Sequence, residues 1–276
     1  MRFLSAALIL TLAAVAACPA HAAPVSAQVE IPSGKLDLHA QLYKPDGNGP
    51  FPVVIALHGC GGLSGQGEVV LPRYRDWAEQ LLKAGYAVLW PDSFGSREAG
   101  PQCREKDRKV LARRDRVADV TASHKWLVAQ SWAAPDRISL MGWGHGANSV
   151  LWAVRPQLAA RGKEADYRSA IAFYPDCRIS ARTGWSTRVP MLLLIGGNDD
   201  VASPAQCRQM VDGARGRSAL ARIEVYPAAL HDFDRADLAP RVLDGHDPAA
   251  PEHGHIGGNA DARADAQKRV AEWLAR

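Results

Sequence analysis

The sequence predicts an α/β fold with a doubly wound, mostly parallel sheet whose first two strands form an antiparallel N-terminal hairpin. Short apolar runs alternate with longer helical stretches, an alternating pattern covers residues 28–43, and a glycine-rich turn follows one of the apolar runs. Strands that alternate with helices favour parallel pairing through right-handed crossovers. Ligands of such sheets bind beyond the carboxyl ends of the strands, so functional residues are expected there.

The first predicted element is a hairpin at a sheet edge, because Val29, Ile31, Leu36, Leu38 and Leu42 alternate with other residues around Pro-Ser-Gly. The later strands are short apolar runs, typical of strands covered on both faces, at residues 51–57, 86–90, 138–141, 170–174, 191–195 and 222–226. Helices are predicted at residues 72–84, about 106–130, 147–160, 204–214 and 260–275. The Gly/Pro/His-rich stretch 243–258 is the longest predicted loop.

The first 22 residues predict a secretory signal peptide. They carry Arg2, an apolar stretch from Phe3 to Ala17 that is short for a membrane span, and the small-x-small pattern Ala20-His21-Ala22. We therefore expect an exported protein, periplasmic or secreted. A competing interpretation is a lipobox ending at Cys18, whose acylation would anchor the protein to a membrane. Residues 23–276 suit one α/β domain with a large core.

The charge balance argues against a nucleic-acid partner. The formal net charge is +4 at pH 7, from 33 basic and 29 acidic residues. Lys and Arg do not cluster in a stripe interleaved with aromatic residues, as they would on a nucleic-acid-binding face. We expect a mixed, solvated surface, no membrane span after the leader, and a small molecule as the partner.

Four cysteines remain after the expected cleavage, an even number in an oxidising compartment. Three pairings are possible in principle. We favour Cys60 with Cys103 and Cys177 with Cys207, because each pair would join loops at the same end of neighbouring strands. The alternative is four free buried thiols.

The turn after the predicted strand 138–141 has glycines at positions 142, 144 and 146. It resembles the nucleophile elbow G-x-S-x-G of α/β-hydrolases, where a strained strand-to-helix corner presents a Ser or Cys for attack. Gly142 and Gly146 supply the side-chain-free positions that let strand and helix approach closely. Gly144 stands where the nucleophile belongs, so the motif lacks its reacting side chain.

Two further loops complete a candidate catalytic site. The run His58-Gly-Cys60-Gly-Gly follows a buried strand and predicts half of an oxyanion hole, with the N–H of Cys60 as its donor. The N–H of His145, just after the centre of the elbow, would be the other donor. The alternative for the glycine run is an ordinary tight turn. Asp199 follows the strand ending at Ile195 and is the favoured acid of the triad, although spacing alone does not exclude its neighbour Asp200. The alternative is that the aspartate caps the helix that follows. His231 comes last, as the base does in α/β-hydrolases.

These residues together resemble the dienelactone hydrolase family, in an exported branch that has Ser at the elbow. The resemblance covers nearly all of the chain after the leader. It rests on His58-Gly-Cys-Gly-Gly-Leu63, Asp92-Ser-Phe94, Arg116-x-x-Asp119, Gly142-Trp-x-His-Gly146, Phe173-Tyr-Pro175 with Cys177, Gly197-x-Asp-Asp200 with Cys207, and His231-Asp-Phe-Asp234. It implies an α/β-hydrolase fold and the hydrolysis of esters or lactones by a Ser or Cys, Asp and His triad, without metal or organic cofactor.

Other polar residues have plainer interpretations. Ser149 lies one turn into the helix after the elbow, so it is not expected to replace the missing hydroxyl. Cys60 as a thiolate nucleophile is disfavoured by its expected disulfide. A metal site is not favoured at the three histidines His246, His253 and His255. A site for a substrate carboxylate is not favoured either at the four arginines Arg97, Arg113, Arg114 and Arg116, which we expect at the surface or in structural ion pairs.

The sequence thus predicts an impaired hydrolase of carboxylic esters or lactones. Without a side chain at Gly144 no acyl-enzyme forms there, and a water activated by His231 would give slow direct hydrolysis. The alternative is a catalytically inactive protein that binds a small ester or acid in the same pocket. The sequence does not separate a natural from an engineered loss of the nucleophile, nor identify the substrate.

Overall fold

An eight-stranded mixed sheet forms the centre of the computed structural model, which describes residues 26–65, 67, 69–156, 165–244 and 253–276. The strand order is β1-β2-β4-β3-β5-β6-β7-β8. β1 and β2 form the antiparallel hairpin at one edge, β2 pairs antiparallel with β4, and the other pairs are parallel. The strands are β1 Ser26–Ser33, β2 Leu36–Tyr43, β3 Phe51–Leu57, β4 Ala87–Pro91, β5 Ala133–Trp143, β6 Ala170–Phe173, β7 Met191–Gly196 and β8 Ala221–Tyr226.

Helices connect the parallel strands, and their ends follow the local sequence. Pro72 and Pro204 stand at the first turns of their helices, where the missing N–H costs no hydrogen bond. The side chains of Ser203 and Asn259 cap two helices by accepting from the N–H groups of Gln206 and Ala262. The helices are α1 Pro72–Lys83, α2 Asp115–Val128, α3 His145–Ala153, α4 Arg178–Thr183, α5 Pro204–Gly213 and α6 Ala260–Leu274, with a 3-10 turn at Gly95–Arg97.

The predicted fold class is confirmed, and the differences lie in single elements. The helix expected from about residue 106 begins only at Asp115, because the N–H groups of Val110 and Leu111 donate to the side chains of Gln102 and Asp115 instead of to a helix. Helix α4 was not predicted. The expected end of the third helix at residues 157–160 lies outside the described residues.

The loop predicted at residues 243–258 is wrong in part. β9 (Arg241–Asp244) and β10 (His253–Ile256) pair antiparallel in a separate two-stranded sheet. Each strand has four residues, and the apolar ones, Val242, Leu243 and Ile256, show no alternation, so no sequence pattern marked them. Within the described chain, no helix combines the length and the apolar character that a membrane crossing requires.

The core fills both faces of the sheet, and aromatic side chains concentrate below the carboxyl end of β5. Trp143 stacks on Trp90 and on Phe173, with ring centroids 5.3 Å apart in both pairs. Trp77 of α1 contacts Trp143 and Phe173 from the side. These rings are buried, so the corner that follows Trp143 rests on a rigid base.

The corner between β5 and α3 depends on two glycines at which the backbone segments touch. A Cβ at Gly142 would lie 2.6 Å from the carbonyl carbon and oxygen of Gly146, and one at Gly146 would lie 2.1 Å from the carbonyl oxygen of Leu57 in β3. Those neighbours are backbone atoms of the central strand and the helix, which cannot move aside independently. Any side chain at these two positions would push α3 away from the sheet.

We therefore predict that Gly146→Ala lowers the free energy of unfolding by about 3 kcal/mol or more, measured by urea denaturation. Gly213→Ala is the matched control, since Gly213 is the last residue of α5 and an added Cβ there meets no atom within 4 Å. That control should be neutral or stabilise by up to about 1 kcal/mol. Equal stability of the two variants would contradict the close packing at the corner.

Candidate active site

The carboxyl ends of β3, β5 and β7 and the loop after β8 surround a cavity of about 500 Å³. Its lining includes Cys60, Arg73, Gly144, Tyr174 and His231. It lies at the sheet edge where the parallel strands end, which is where the sequence places the candidate residues. Four arginines line the cavity, at positions 73, 104, 235 and 241, and two aspartates, at positions 232 and 237. Its wall therefore carries an excess of positive charge.

Gly144 forms the apex of the corner between β5 and α3. Its backbone has φ 49° and ψ −109°, a conformation that strains any residue with a side chain. Its N–H donates to the carbonyl of Phe173, and its carbonyl accepts from Asn148. A Cβ built on Gly144 would meet one atom within 4 Å, Nε2 of His231, at 4.0 Å. A side chain at the apex would therefore point at that imidazole.

The structure pairs His231 with Asp199. His231 Nδ1 lies 2.9 Å from Asp199 Oδ2, and Asp199 Oδ1 accepts from the N–H groups of Val201 and Ala202. Asp200, which spacing alone did not separate from Asp199, is half exposed and pairs with His255, whose Nδ1 lies 2.6 Å from Asp200 Oδ2. Burial thus distinguishes the two neighbouring acids.

The surroundings of His231 favour its protonated form. Burial alone would lower its pKa, but the charge of Asp199 and the hydrogen bond to it outweigh burial, so the pKa is raised above 6.5. Nδ1 carries the proton donated to Asp199, which leaves Nε2 free to accept one in the neutral ring. The ring lies against Tyr174, with centroids 4.4 Å apart. The backbone carbonyl of His231 accepts from the N–H of Gly257, which fixes the loop that carries the ring.

The loop after β3 is anchored around Cys60. The N–H of Gly59 donates to Tyr74 Oη at 2.8 Å, its carbonyl accepts from His58 Nδ1, and the carbonyl of Cys60 accepts from Gln102. Within the part of the chain that the structure describes, the N–H groups of Cys60 and His145 donate to no backbone or side-chain acceptor. Two uncommitted donors beside Gly144 are what an oxyanion hole requires.

A buried arginine connects the two halves of this candidate hole. Arg116 Nη1 donates to the carbonyl of His58 at 2.7 Å and to His145 Nδ1 at 3.1 Å, and its Nε donates to Ser93. Burial lowers the Arg116 pKa to about 10, and burial together with the Arg116 charge holds the His145 pKa well below 6.5. His145 is therefore a neutral ring that accepts at Nδ1, and the surface or ion-pair role expected for Arg116 is wrong.

The other arginines behave as expected. Arg97 makes a bidentate pair with buried Asp119, Arg114 pairs with Asp115 at the surface, and Arg113 is exposed. Ser149 is buried and donates to the carbonyl of His145, so its hydroxyl faces the helix. His246 lies outside the described residues, as does the side chain of His253, and no group of three or more His, Cys, Asp or Glu in the described chain could hold a metal ion.

Both favoured disulfides are present. Cys60 is bonded to Cys103, and Cys177 to Cys207. The first is half-buried and lines the cavity, where it ties the Cys60 loop to the segment after β4. The second is fully buried and joins the start of α4 to α5. Cys60 is consequently not a free thiolate.

A hydrogen-bonded network below the cavity was missed from the sequence. The buried carboxylate of Asp234 accepts from Trp77 Nε1, Trp143 Nε1 and Tyr174 Oη at 2.9, 2.8 and 2.6 Å. Arg73 donates to Tyr174 Oη at 3.0 Å and pairs with Asp232 at 2.8 Å. Asp234 and Tyr174 stand in two of the motifs quoted above, but nothing in the sequence around Arg73 marks it.

Comparison with known proteins finds similarity over most of the chain. A family model described as "Dienelactone hydrolase family" matches residues 38–276. A Yersinia pestis protein named "Putative carboxymethylenebutenolidase" is 25% identical over 266 residues, which cover 90% of this chain and 86% of that protein.

Solved structures share the fold. The crystal structure of "Putative Dienelactone Hydrolase" from Klebsiella pneumoniae aligns with a TM-score of 0.68 at 21% identity, covering 92% of this chain and 100% of that one. A dienelactone hydrolase-like promiscuous phosphotriesterase from metagenomic libraries aligns with a TM-score of 0.67 at 15% identity, and the alignment covers 92% of this chain and 98% of that one. At these identities the similarity shows the α/β-hydrolase fold.

We predict that His231 titrates with a midpoint above 6.5, measured by NMR of its ring protons. Because the neutral ring is the base, any activity that uses it should fall as pH decreases through this raised pKa. Protonation of a group with a raised folded pKa stabilises the fold below the unfolded value of about 6.5, and this contribution is lost as pH rises through the folded pKa. Asp199→Asn removes the charge and the charged acceptor that raise this pKa most, which leaves burial and the Arg73 charge lowering it against the charge of Asp232, so the midpoint should fall; an unchanged midpoint would contradict the pairing.

The two disulfides should differ in their response to a mild reductant. Exchange requires access of a thiolate to the sulfur, so dithiothreitol at neutral pH is expected to open Cys60–Cys103 well before Cys177–Cys207. Alkylation of the new thiols followed by peptide mass spectrometry would measure the order. Simultaneous opening of both bonds would show that access to the cavity does not control their reduction.

Proposed function

The chain belongs to the dienelactone hydrolase family, and from this premise we propose that it hydrolyses carboxylic esters or lactones slowly, with water in place of a side-chain nucleophile. The observation that supports this most is the position of His231 Nε2, 4.0 Å from where a Cβ of residue 144 would stand. The base of a catalytic triad is thus retained beside an apex without a hydroxyl. The names of the relatives agree with hydrolysis as the reaction class.

In the proposed reaction, the substrate carbonyl oxygen accepts hydrogen bonds from the N–H groups of Cys60 and His145. A water beside Gly144 attacks the carbonyl carbon while His231 Nε2 takes one of its protons, and Asp199 stabilises the imidazolium that forms. The tetrahedral intermediate then collapses, and His231 returns the proton to the leaving alkoxide. The products are an acid and an alcohol, or one hydroxy acid from a lactone.

The rate should be low because two contributions are missing. No acyl-enzyme divides the reaction into two easier steps, and the attacking water must be ordered for each turnover. Serine hydrolases that lack a triad member retain about 10³ to 10⁴-fold acceleration over water, from the oxyanion hole and binding. We assign this order of magnitude to the chain.

We also propose that the protein is exported. Two disulfides support this, because such bonds persist mainly in oxidising compartments. The signal-peptide residues 1–22 and the alternative lipobox Cys18 lie outside the described residues. The small-molecule partner is an ester or lactone, and no cofactor enters the proposed reaction.

The decisive experiment restores the hydroxyl. Gly144→Ser should raise kcat/KM for p-nitrophenyl acetate by at least ~10²-fold, because the serine would point at His231 Nε2, and a burst of p-nitrophenol should accompany acylation. The gain should disappear when His231→Ala is added.

Gly144→Ala is the matched control. It imposes the same backbone strain at φ 49° without a hydroxyl, so both variants should lose a similar ~1–3 kcal/mol of unfolding free energy, while only the serine gains activity. Equal activities in a folded serine variant would overturn the assignment of Gly144 as the nucleophile position. Absence of His231-dependent turnover in the parent chain would instead favour the inactive binding protein.

A further inference from the structure

The cavity presents a base and two uncommitted hydrogen-bond donors. His231 Nε2 faces the space beside Gly144, and the N–H groups of Cys60 and His145 are uncommitted within the described chain. The other acid–base groups near the ring are occupied: Asp232 pairs with Arg73, and the Tyr174 hydroxyl donates to Asp234. His231 is therefore the group at this position that can take a proton from a bound molecule.

We propose that this site also catalyses proton transfer at carbon: it removes the proton α to the carbonyl of a lactone or ester, and so exchanges that proton and isomerises β,γ-unsaturated lactones. The inference uses the same base and donors as the proposed hydrolysis, but it requires neither a water nucleophile nor a side chain at residue 144. A base aimed at an α-carbon and donors aimed at the enolate oxygen are the two groups that enolisation needs.

The reaction balances without a co-reactant. His231 Nε2 takes the α-proton, the C–H electron pair forms the carbon–carbon double bond of the enolate, and the carbonyl π pair moves onto oxygen, where the two N–H groups hold it. The imidazolium, stabilised by Asp199, returns its proton to the α-carbon or to the γ-carbon of the extended enolate. Return to the γ-carbon gives the α,β-unsaturated isomer, and nothing is consumed.

The missing side chain favours this reaction over hydrolysis. A serine would occupy the space before Nε2, whereas the substrate's own α-carbon can enter it when residue 144 is glycine. The α-carbon is bonded to the carbonyl carbon, so binding the carbonyl oxygen in the hole delivers the α-proton with little further loss of entropy. An attacking water must instead be immobilised separately, and a well-held water needs two to four polar partners.

The test substrate is 5-methyl-2(3H)-furanone, a β,γ-unsaturated lactone whose α-protons are acidified by the double bond. The full chain is incubated with it in D₂O, and ¹H NMR follows three signals: loss of the α-proton, appearance of the α,β-unsaturated isomer, and appearance of the open-chain acid. A buffer blank gives the spontaneous rates. We expect deuterium in the recovered lactone, and isomer, to form faster than in the blank.

Variants assign the exchange to the site. His231→Ala and Asp199→Asn should lower the enzymatic exchange rate by about 10²-fold or more, the usual contribution of a general base. His255→Ala is the matched control, because His255 pairs with Asp200 as His231 pairs with Asp199 but is half exposed, and it should leave exchange unchanged. Asp199→Asn keeps the shape of the side chain, so it tests the site if His231→Ala fails to fold.

The outcomes separate this inference from the proposed hydrolysis. Exchange without open-chain acid supports proton transfer and counts against hydrolysis by water. Acid formation with no deuterium in the remaining lactone overturns the inference and leaves the hydrolysis in place. Exchange at the same rate in His231→Ala and the parent also overturns it. Gly144→Ser should shift the products from isomer to acid.

Discussion

The buried carboxylate of Asp234 is the interaction on which the rest of the site depends. It is 1% exposed and accepts hydrogen bonds from α1, from the end of β5 and from the residue after β6, through Trp77, Trp143 and Tyr174. Hydrogen bonds to charged groups contribute about 1.5–3 kcal/mol each, and a buried carboxylate without them would be strongly destabilising. The three segments must therefore meet at this carboxylate for the chain to fold around it.

That requirement places the base relative to the apex. Asp234 lies three residues after His231, and its partner Trp143 directly precedes Gly144, so one carboxylate links the imidazole loop to the corner. Arg73 extends the link by contacting both Tyr174 and Asp232, and its pKa is raised because these acidic partners outweigh burial. Tyr174 and Asp232 keep positive φ values of 39° and 63°. Such strain persists only where surrounding contacts fix the backbone, as they do here.

The sequence predicted those parts of the molecule that have a local pattern. Apolar runs marked the strands, and the glycines at 142 and 146 marked the corner, because a close backbone approach excludes other residues there. It favoured Asp199 but could not exclude Asp200 by spacing, since burial against the loop after β8 distinguishes the two acids. Arg116 was expected in a surface or structural ion pair, and its actual acceptors, the His58 carbonyl and His145, come from distant strand ends that no local pattern connects. The β9–β10 pair is likewise defined by contacts between segments separated in the sequence.

The same constraint explains why the candidate site does not depend on a side chain at residue 144. A hydrolase elbow holds its central residue at positive φ, which costs about 1–3 kcal/mol for an L side chain and almost nothing for glycine. Gly144 has φ 49°, so glycine avoids the strain that a side chain would impose at this position. The base, the acid and the donor loop are anchored through Asp199, Asp234, Arg116 and the Cys60–Cys103 bond, and none of these contacts involves a side chain at residue 144. Stability therefore does not require a side chain at residue 144, and the His231–Asp199 pair and the Cys60 loop stay in place without one.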